Sequence, residues 1–347
     1  MLPKKNSRME MNNVFIIAEA GVNHNGDVNL AMKLIEAAKE TGADCVKFQT
    51  WITEELMTED AIKADYQIKN DGSSSQFEMA KRLELSYEKF ALLKRHAEKV
   101  GILSVSTPDE SRSLNFLVDE LNLPLIKVGS GEINNILFLK QIAKKKLPVI
   151  LSTGMSFLAD VEKAYYTLIE NGAQNVSLLH CTSEYPAPYD SVNLKAMQTL
   201  QQVFQTTIGY SDHTQGIEIS IAAVALGARI IEKHFTLDKS LPGPDHKASL
   251  DPVEFKQMVK CIRNVEKAIG NGIKKPNASE LATKKIVGKG LYTKHKMTKG
   301  TVITENDLVG KRPETDLSIA DANLIIGKKI KNDLNKGEPF LLREIEF

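Results

Sequence analysis

Lys47 in Val46-Lys47-Phe48-Gln49 and Lys127 in Lys127-Val128-Gly129-Ser130-Gly131-Glu132 each close a short β-branched run. Hydroxyls recur at comparable places, at Thr107, Ser130, Ser152 and Ser211. Two ammonium groups, several hydroxyls and backbone amides left open by glycine make an anion site, most simply for phosphate. Lys127 beside Glu132 has a second reading, a plain ion pair. His213 and His234 close two further runs. Neutral imidazoles from neighbouring strands can hold a divalent metal with positions open to substrate. Their spacing alone is not a metal motif, and a satisfied structural histidine is the alternative. Asp212 and Glu232 could orient either ring. Gly243-Pro244-Asp245-His246 either carries an acid to the same place or is a type I turn with a capping Asp. Cys181 sits in an apolar strand end with no assignable base and reads as packing.

Elements that would place these groups follow from periodicity. Eight short apolar runs read as strands: Val14–Ala20, Ala43–Gln49, Ile102–Thr107, Pro124–Val128, Pro148–Ser152, Asn175–His180, Thr206–Tyr210 and Arg229–His234. Amphipathic segments lie between them, with faces such as Leu30, Leu34, Ala37, Ala38 and Phe90, Leu93, Ala97. Asp27 can cap the first helix and Gly42 can end it; a last helix spans about Pro252 to Ile269. Strands this apolar belong to a parallel sheet covered by helices. Eight βα units in about 250 residues match a (β/α)8 TIM barrel. An open doubly wound sheet is the competitor, but the turn Gly21-Val22-Asn23-His24-Asn25-Gly26 lacks the G-x-G-x-x-G spacing.

A barrel puts reactive groups at the C-terminal ends of its strands. All eight predicted ends are polar: Glu19 with Asn23 and His24, Lys47 with Gln49, Thr107, Lys127 to Glu132, Ser152-Thr153, His180 to Tyr185, Ser211 to His213, and Glu232 to His234. Turn chemistry explains one such end more easily than eight. Trp51 to Leu85, with its Asp71-Gly72-Ser73-Ser74-Ser75 tract, is too long for a simple βα loop and is expected over the catalytic face as a lid.

The chain has 347 residues, 42% hydrophobic and 26% charged, enough for one large domain and a small one. Lys+Arg 45 against Asp+Glu 44 leaves a net charge of +1, no global excess to hold nucleic acid. Met1 to Met11 is polar and does not read as a signal peptide, and no run of 18 apolar residues predicts a membrane span. Three scattered cysteines read as reduced, in a cytoplasmic protein. We expect a barrel over 1–270, a linker over 271–285 and a small domain over 286–347. In that small domain Met297-Thr298-Lys299-Gly300 is echoed by Leu334-Asn335-Lys336-Gly337, which suggests two pseudo-symmetric hairpin-like units.

The segments Ala18 to Gly26, Val46 to Gln49, Lys127 to Glu132, Ser152-Thr153-Gly154-Met155, Gly209 to His213, Glu232 to Asp238 and Gly243 to His246 resemble, in order, those of the sialic acid synthases. These enzymes condense phosphoenolpyruvate with an N-acylated mannosamine-type sugar to nine-carbon nonulosonic acids. The segment with Lys311-Arg312-Pro313 is similar to their appended antifreeze-like (SAF, β-clip) domain. The resemblance implies Mn2+ or Mg2+ on His213 and His234. It implies phosphoenolpyruvate contacts from Lys47, Thr107, Lys127, Ser130, Ser152 and Ser211, and sugar contacts from Gln49, Tyr185, Asp245 and Arg312. Arg312 would come from the partner in a domain-swapped homodimer. Glu132, with Glu19 as runner-up, would stabilise a cation at C2 of phosphoenolpyruvate or activate water. No nucleic acid or membrane partner is implied. Two departures stand out: Pro313-Glu314-Thr315-Asp316 for the family's Pro-Gly-Asn-Gly, and Thr107-Pro108-Asp109 for Thr-Pro-Phe. N-acetylneuraminate or legionaminate is the expected product. The alternatives are pseudaminate or another nonulosonate, a lysine Schiff-base aldolase, and a non-catalytic sugar-binding module.

Overall fold

The computed structural model describes residues 13–71 and 75–347; the Met1–Met11 segment and the centre of the Asp71–Ser75 tract lie outside them. Eight strands alternate with helices: β1 Phe15–Gly21, β2 Cys45–Thr50, β3 Leu103–Pro108, β4 Ile126–Val128, β5 Val149–Ser152, β6 Val176–Cys181, β7 Ile208–Asp212 and β8 Ile230–His234. They begin one or two residues later than the apolar runs suggest. Pro124 and Pro148 head two of those runs and cannot donate to a ladder. Hydrogen bonding runs β3-β2-β1-β8-β7-β6-β5-β4, with every pair parallel. Pairing of β1 with β8 joins the two ends of the chain order, so the sheet curls into a TIM-like barrel rather than an open doubly wound sheet.

Helix α1 (Val28–Thr41) illustrates how local signals act. Asp27 accepts from the Asn29 amide, and Gly42 ends the helix at φ +84°, which costs glycine little. Its buried face is Ala31, Leu34, Ile35, Ala38 and Thr41, rotated slightly from the predicted stripe; Leu30 and Ala37 are half-buried. The insertion after β2 carries three short helices, α2 (Thr53–Leu56), α3 (Asp65–Asp71) and α4 (Gln76–Leu83). Trp51, Met79, Ala80 and Leu83 pack with Val22 into a small core of their own. Asn70 Nδ2 donates to Pro244 O at 2.8 Å, tying α3 to the loop after β8. Helix α5 (Tyr87–Val100) buries the expected Phe90, Leu93 and Ala97, and the last barrel helix spans Pro252–Ile269.

The alternation of β-strands sets the layers inside the barrel. Ile17, Cys45, Val105, Leu125, Ile150, Leu179 and Ile230 form an apolar plug. Two residues further along the same strands stand Glu19, Lys47, Thr107, Lys127, Ser152, Cys181 and Glu232, so the polar layer sits directly on the plug.

A second compact unit runs from Asn271 to Phe347. The stretch expected as linker carries a helix, Ala278–Val287, because Asn277 and Glu280 form a reciprocal capping box. Antiparallel pairs Gly290–Thr293 with Leu308–Lys311, and Lys329–Ile330 with Ile345–Glu346, surround a core of Leu291, Met297, Ile303, Leu317, Ile325, Ile330, Leu334, Phe340 and Ile345. The internal echo is structural: Met297 and Leu334 exchange backbone hydrogen bonds at 2.9 Å. The Gly300 amide donates to Ile330 O, and the Gly337 amide to Thr293 O, as a two-fold would require.

Candidate active site

The polar layer opens into a cavity of about 370 Å³ at the C-terminal ends of the strands. Nearly every residue expected there lines it: Glu19, Lys47, Gln49, Thr107, Lys127, Ser130, Ser152, Tyr185, Ser211, His213 and His234. Asp245 lines the adjoining cavity. Glu132 stands at the rim, one residue past lining Gly131, where its Oε2 accepts from Asn135 Nδ2 at 2.7 Å. Arg312 belongs to the second unit and is exposed there.

Lys47 and Lys127 are 3% and 2% exposed, so their charges act without water screening. Lys47 Nζ lies 2.7 Å from Glu19 Oε2 and donates to Thr107 Oγ1 at 3.1 Å. Lys127 Nζ donates to Ser152 Oγ at 2.7 Å. Glu232 links the two, at 4.0 Å from Lys47 and 3.6 Å from Lys127, and accepts from Ser211 Oγ at 3.0 Å. The ion pair of Lys127 is therefore with Glu232 and not with Glu132. Burial opposes charge on Glu232, yet the ammonium groups of Lys127 and Lys47 hold its carboxyl down at about 2. Burial, helped by the Glu232 charge, pushes Glu19 up to about 7 against the pull of Lys47. Two carboxyls with separated affinities for a proton make an acid–base pair available in one cavity. The ladder shifts register between Glu19 and Gly21. Gly21 takes φ +49°, and a Cβ there would stand 3.0 Å from Glu19 Oε1.

On the opposite wall the rings of His213 and His234 lie 5.5 Å apart. Burial lowers both, His213 to about 4 and His234 well below the usual histidine range, so both are neutral near pH 7. His213 Nδ1 donates to Thr182 O at 2.6 Å, which leaves the lone pair on Nε2. Nδ1 of His234 is buried without a hydrogen-bond partner, 3.7 Å from Asp245 Oδ2. Among the described residues no group of three or more His, Cys, Asp or Glu side chains is placed to hold a metal. The pair fits a divalent ion that completes its shell with water and substrate oxygens. Tyr185 packs on His213, with ring centroids 4.1 Å apart.

Asp212 does not orient a ring: its carboxylate takes Lys233 Nζ at 3.1 Å, Ser220 Oγ and Thr214 Oγ1 on the outer side of the barrel. The Thr182 carbonyl does that work for His213. Cys181 lines the cavity at 3.1 Å from Ser130 Oγ, but burial pushes its thiol up, as suits a packing residue. Asn23 bonds Phe235 O and Ser249 Oγ, so it is structural. Two cavity carboxyls escape the motif reading, Glu232 as a partner of the lysines and Asp109. Strand alternation is the signal that finds Glu232, because an inward His234 brings Glu232 inward two residues earlier.

A model described as NeuB family matches residues 34–274, and one described as SAF domain matches residues 288–346. A Campylobacter jejuni protein named N,N'-diacetyllegionaminic acid synthase is 49% identical, over 96% of this chain and 100% of its own length. A Legionella pneumophila protein of the same name is 47% identical, over 96% of this chain and 94% of its own. The crystal structure of N-acetylneuraminic acid synthetase from Leptospira borgpetersenii superposes with a TM-score of 0.70 at 38% identity, covering 78% of this chain and 90% of that one. Among the described residues no helix is long and apolar enough to cross a membrane.

Proposed function

The chain belongs to the NeuB family, and on that footing we propose that it joins phosphoenolpyruvate to an N-acylated mannosamine-type sugar, giving a nonulosonic acid and phosphate. The observation that carries this is the pair of buried lysines facing two neutral histidines across one cavity. Lys47 and Lys127 hold the phosphate and carboxylate of phosphoenolpyruvate, and Thr107, Ser130, Ser152 and Ser211 add hydroxyl donors. Gln49, Tyr185 and Asp245 hold the open-chain sugar with its aldehyde toward His213 and His234. A divalent ion on those histidines, manganese or magnesium in our reading, would supply Lewis-acid polarisation of the aldehyde oxygen.

Binding both reactants in one cavity supplies proximity. C3 of phosphoenolpyruvate bonds to the aldehyde carbon, and the aldehyde oxygen takes a proton. Cationic character at C2 is met by water, which gives up its proton. The bond from C2 to the bridging oxygen then breaks, phosphate leaves with that oxygen and takes the proton of the C2 hydroxyl, and C2 becomes a ketone. Glu132 at the cavity rim is the first partner for the cation or the water, with Glu19 in the cavity wall as runner-up. The relatives at 49% and 47% identity favour a legionaminate-type product, with N-acetylneuraminate next and pseudaminate as the alternative. Arg312 completes the acceptor site from the partner subunit of a domain-swapped homodimer. Three free cysteines suit the reducing cytoplasm.

The test is release of inorganic phosphate from phosphoenolpyruvate with N-acylated mannosamine-type acceptors, with and without chelator. Release should need both substrates, stop with chelator and return with manganese. A borohydride-trapped lysine adduct, or full activity after metal removal, would contradict it.

A further inference from the structure

Behind His213 and His234, on the outer face of β7 and β8, lies a buried ion pair that takes no direct part in the reaction. Asp212 and Lys233 are register partners across the two strands, and each immediately precedes one of the histidines. Strand alternation places them there. Ser211 and Glu232 face the cavity, so the next residue on each strand faces the helix layer. Lys233 Nζ lies 3.1 Å from Asp212 Oδ2, and both side chains are fully buried. Asp212 Oδ2 also accepts from Ser220 Oγ at 2.6 Å, which ties the pair to the helix Glu218–Ala225. The remaining bonds close around His213. Asp212 Oδ1 accepts from the Thr214 amide at 2.9 Å and from Thr214 Oγ1 at 2.7 Å. Lys233 Nζ donates to the Thr214 carbonyl. The backbone is thus held on both sides of His213 by side chains of the two strands that lead to the histidines. An ion pair this deep stabilises a fold little beyond hydrocarbon of the same volume, because desolvation offsets the attraction. Directed bonds to the Thr214 peptide groups are what hydrocarbon could not supply.

From this arrangement we propose that Asp212 and Lys233 are positioning residues. The pair locks the turn that carries His213 to the strand that carries His234, and so presets the separation of the two imidazoles for a divalent ion. The Thr182 carbonyl orients the His213 ring; the ion pair places the backbone from which that ring projects. The inference rests on the metal reading proposed above and extends it to two residues whose side chains do not line the cavity.

Manganese affinity of the substrate-free protein decides it, read from the electron paramagnetic resonance of the unbound ion, with urea unfolding alongside. The double variant Asp212→Leu with Lys233→Met removes both charges together, so neither is left buried alone. We expect its urea midpoint to stay close to that of the parent while the Kd for manganese rises about 30-fold. The manganese concentration that half-saturates phosphate release should rise in step, with the KM for phosphoenolpyruvate within about 2-fold of the parent. Thr214→Val loses only the hydroxyl bond and should weaken manganese binding about 3-fold; it decides the matter if the double variant does not fold. Unchanged manganese affinity in the folded variants overturns the positioning role. If the parent binds manganese no more tightly than His213→Ala does, the metal reading itself falls, and this inference with it.

Discussion

Glu232 is the charge on which the anion site balances. It is 5% exposed, bridges Lys127 and Lys47, and stays ionised because both ammonium groups face it. Asp109 is the opposite case. Burial, with Glu132, Glu19 and Glu110 nearby and only Lys47 opposing them, raises its carboxyl to about 7. An unfolded Asp titrates near ~4, so the folded protein binds this proton more tightly. The stability this lends is complete below pH ~4 and is lost as pH rises toward ~7. Asp109→Asn should therefore gain stability relative to the parent between pH 5 and pH 8, on the order of 2 kcal/mol, by denaturant unfolding at the two values. An equal difference at both would contradict the assignment. Most lining residues were legible in the sequence because each closes an apolar run. Asp109 was legible only as a departure from Thr-Pro-Phe, since its role depends on the insertion that faces it, and no local pattern encodes that.

At the scale of elements, strands were easier to read than what lies between them. An apolar run fixes a strand and its inward face, so one register argument places a plug residue and a reactive residue two positions apart. Gly209 is the plug position on β7 where no side chain fits. A Cβ there would approach Ile230 O to 2.4 Å and Leu179 Cδ2 to 2.6 Å. Gly209→Ala should destabilise the barrel by about 3 kcal/mol and reduce activity by displacing Ser211 and His213, measured by urea unfolding and phosphate release. Wild-type stability would show that the strand can shift freely. The helix Ala278–Val287 was missed because the lysines and Pro276 before it read as linker, while Asn277 and Glu280 supply a cap that outweighs them. The insertion's fold was not legible either, since its contacts are to Val22 and Pro244, far away in sequence.

At the scale of the molecule, barrel closure gathers eight strand ends into one site, and sequential parallel pairing with β1 against β8 is what achieves it. The homodimer proposal makes a quantitative claim about shared sites. Lys127→Ala and Arg312→Ala chains, each nearly inactive alone, should recover about a quarter of wild-type activity when co-expressed, because half the dimers then hold one intact site. No recovery would mean that each site is built from one chain. The net charge of +1 conceals the feature that governs the chemistry, two buried ammonium groups balanced against Glu232 and Glu19 in one layer. The central claim is that this layer holds phosphoenolpyruvate while C3 attacks an aldehyde and the C2–O bond breaks. Phosphoenolpyruvate labelled with heavy oxygen at the C2–O–P bridge tests it most directly, with mass spectrometry of the released phosphate and the sugar acid. The label is predicted in the phosphate; label retained in the nine-carbon acid would contradict the account.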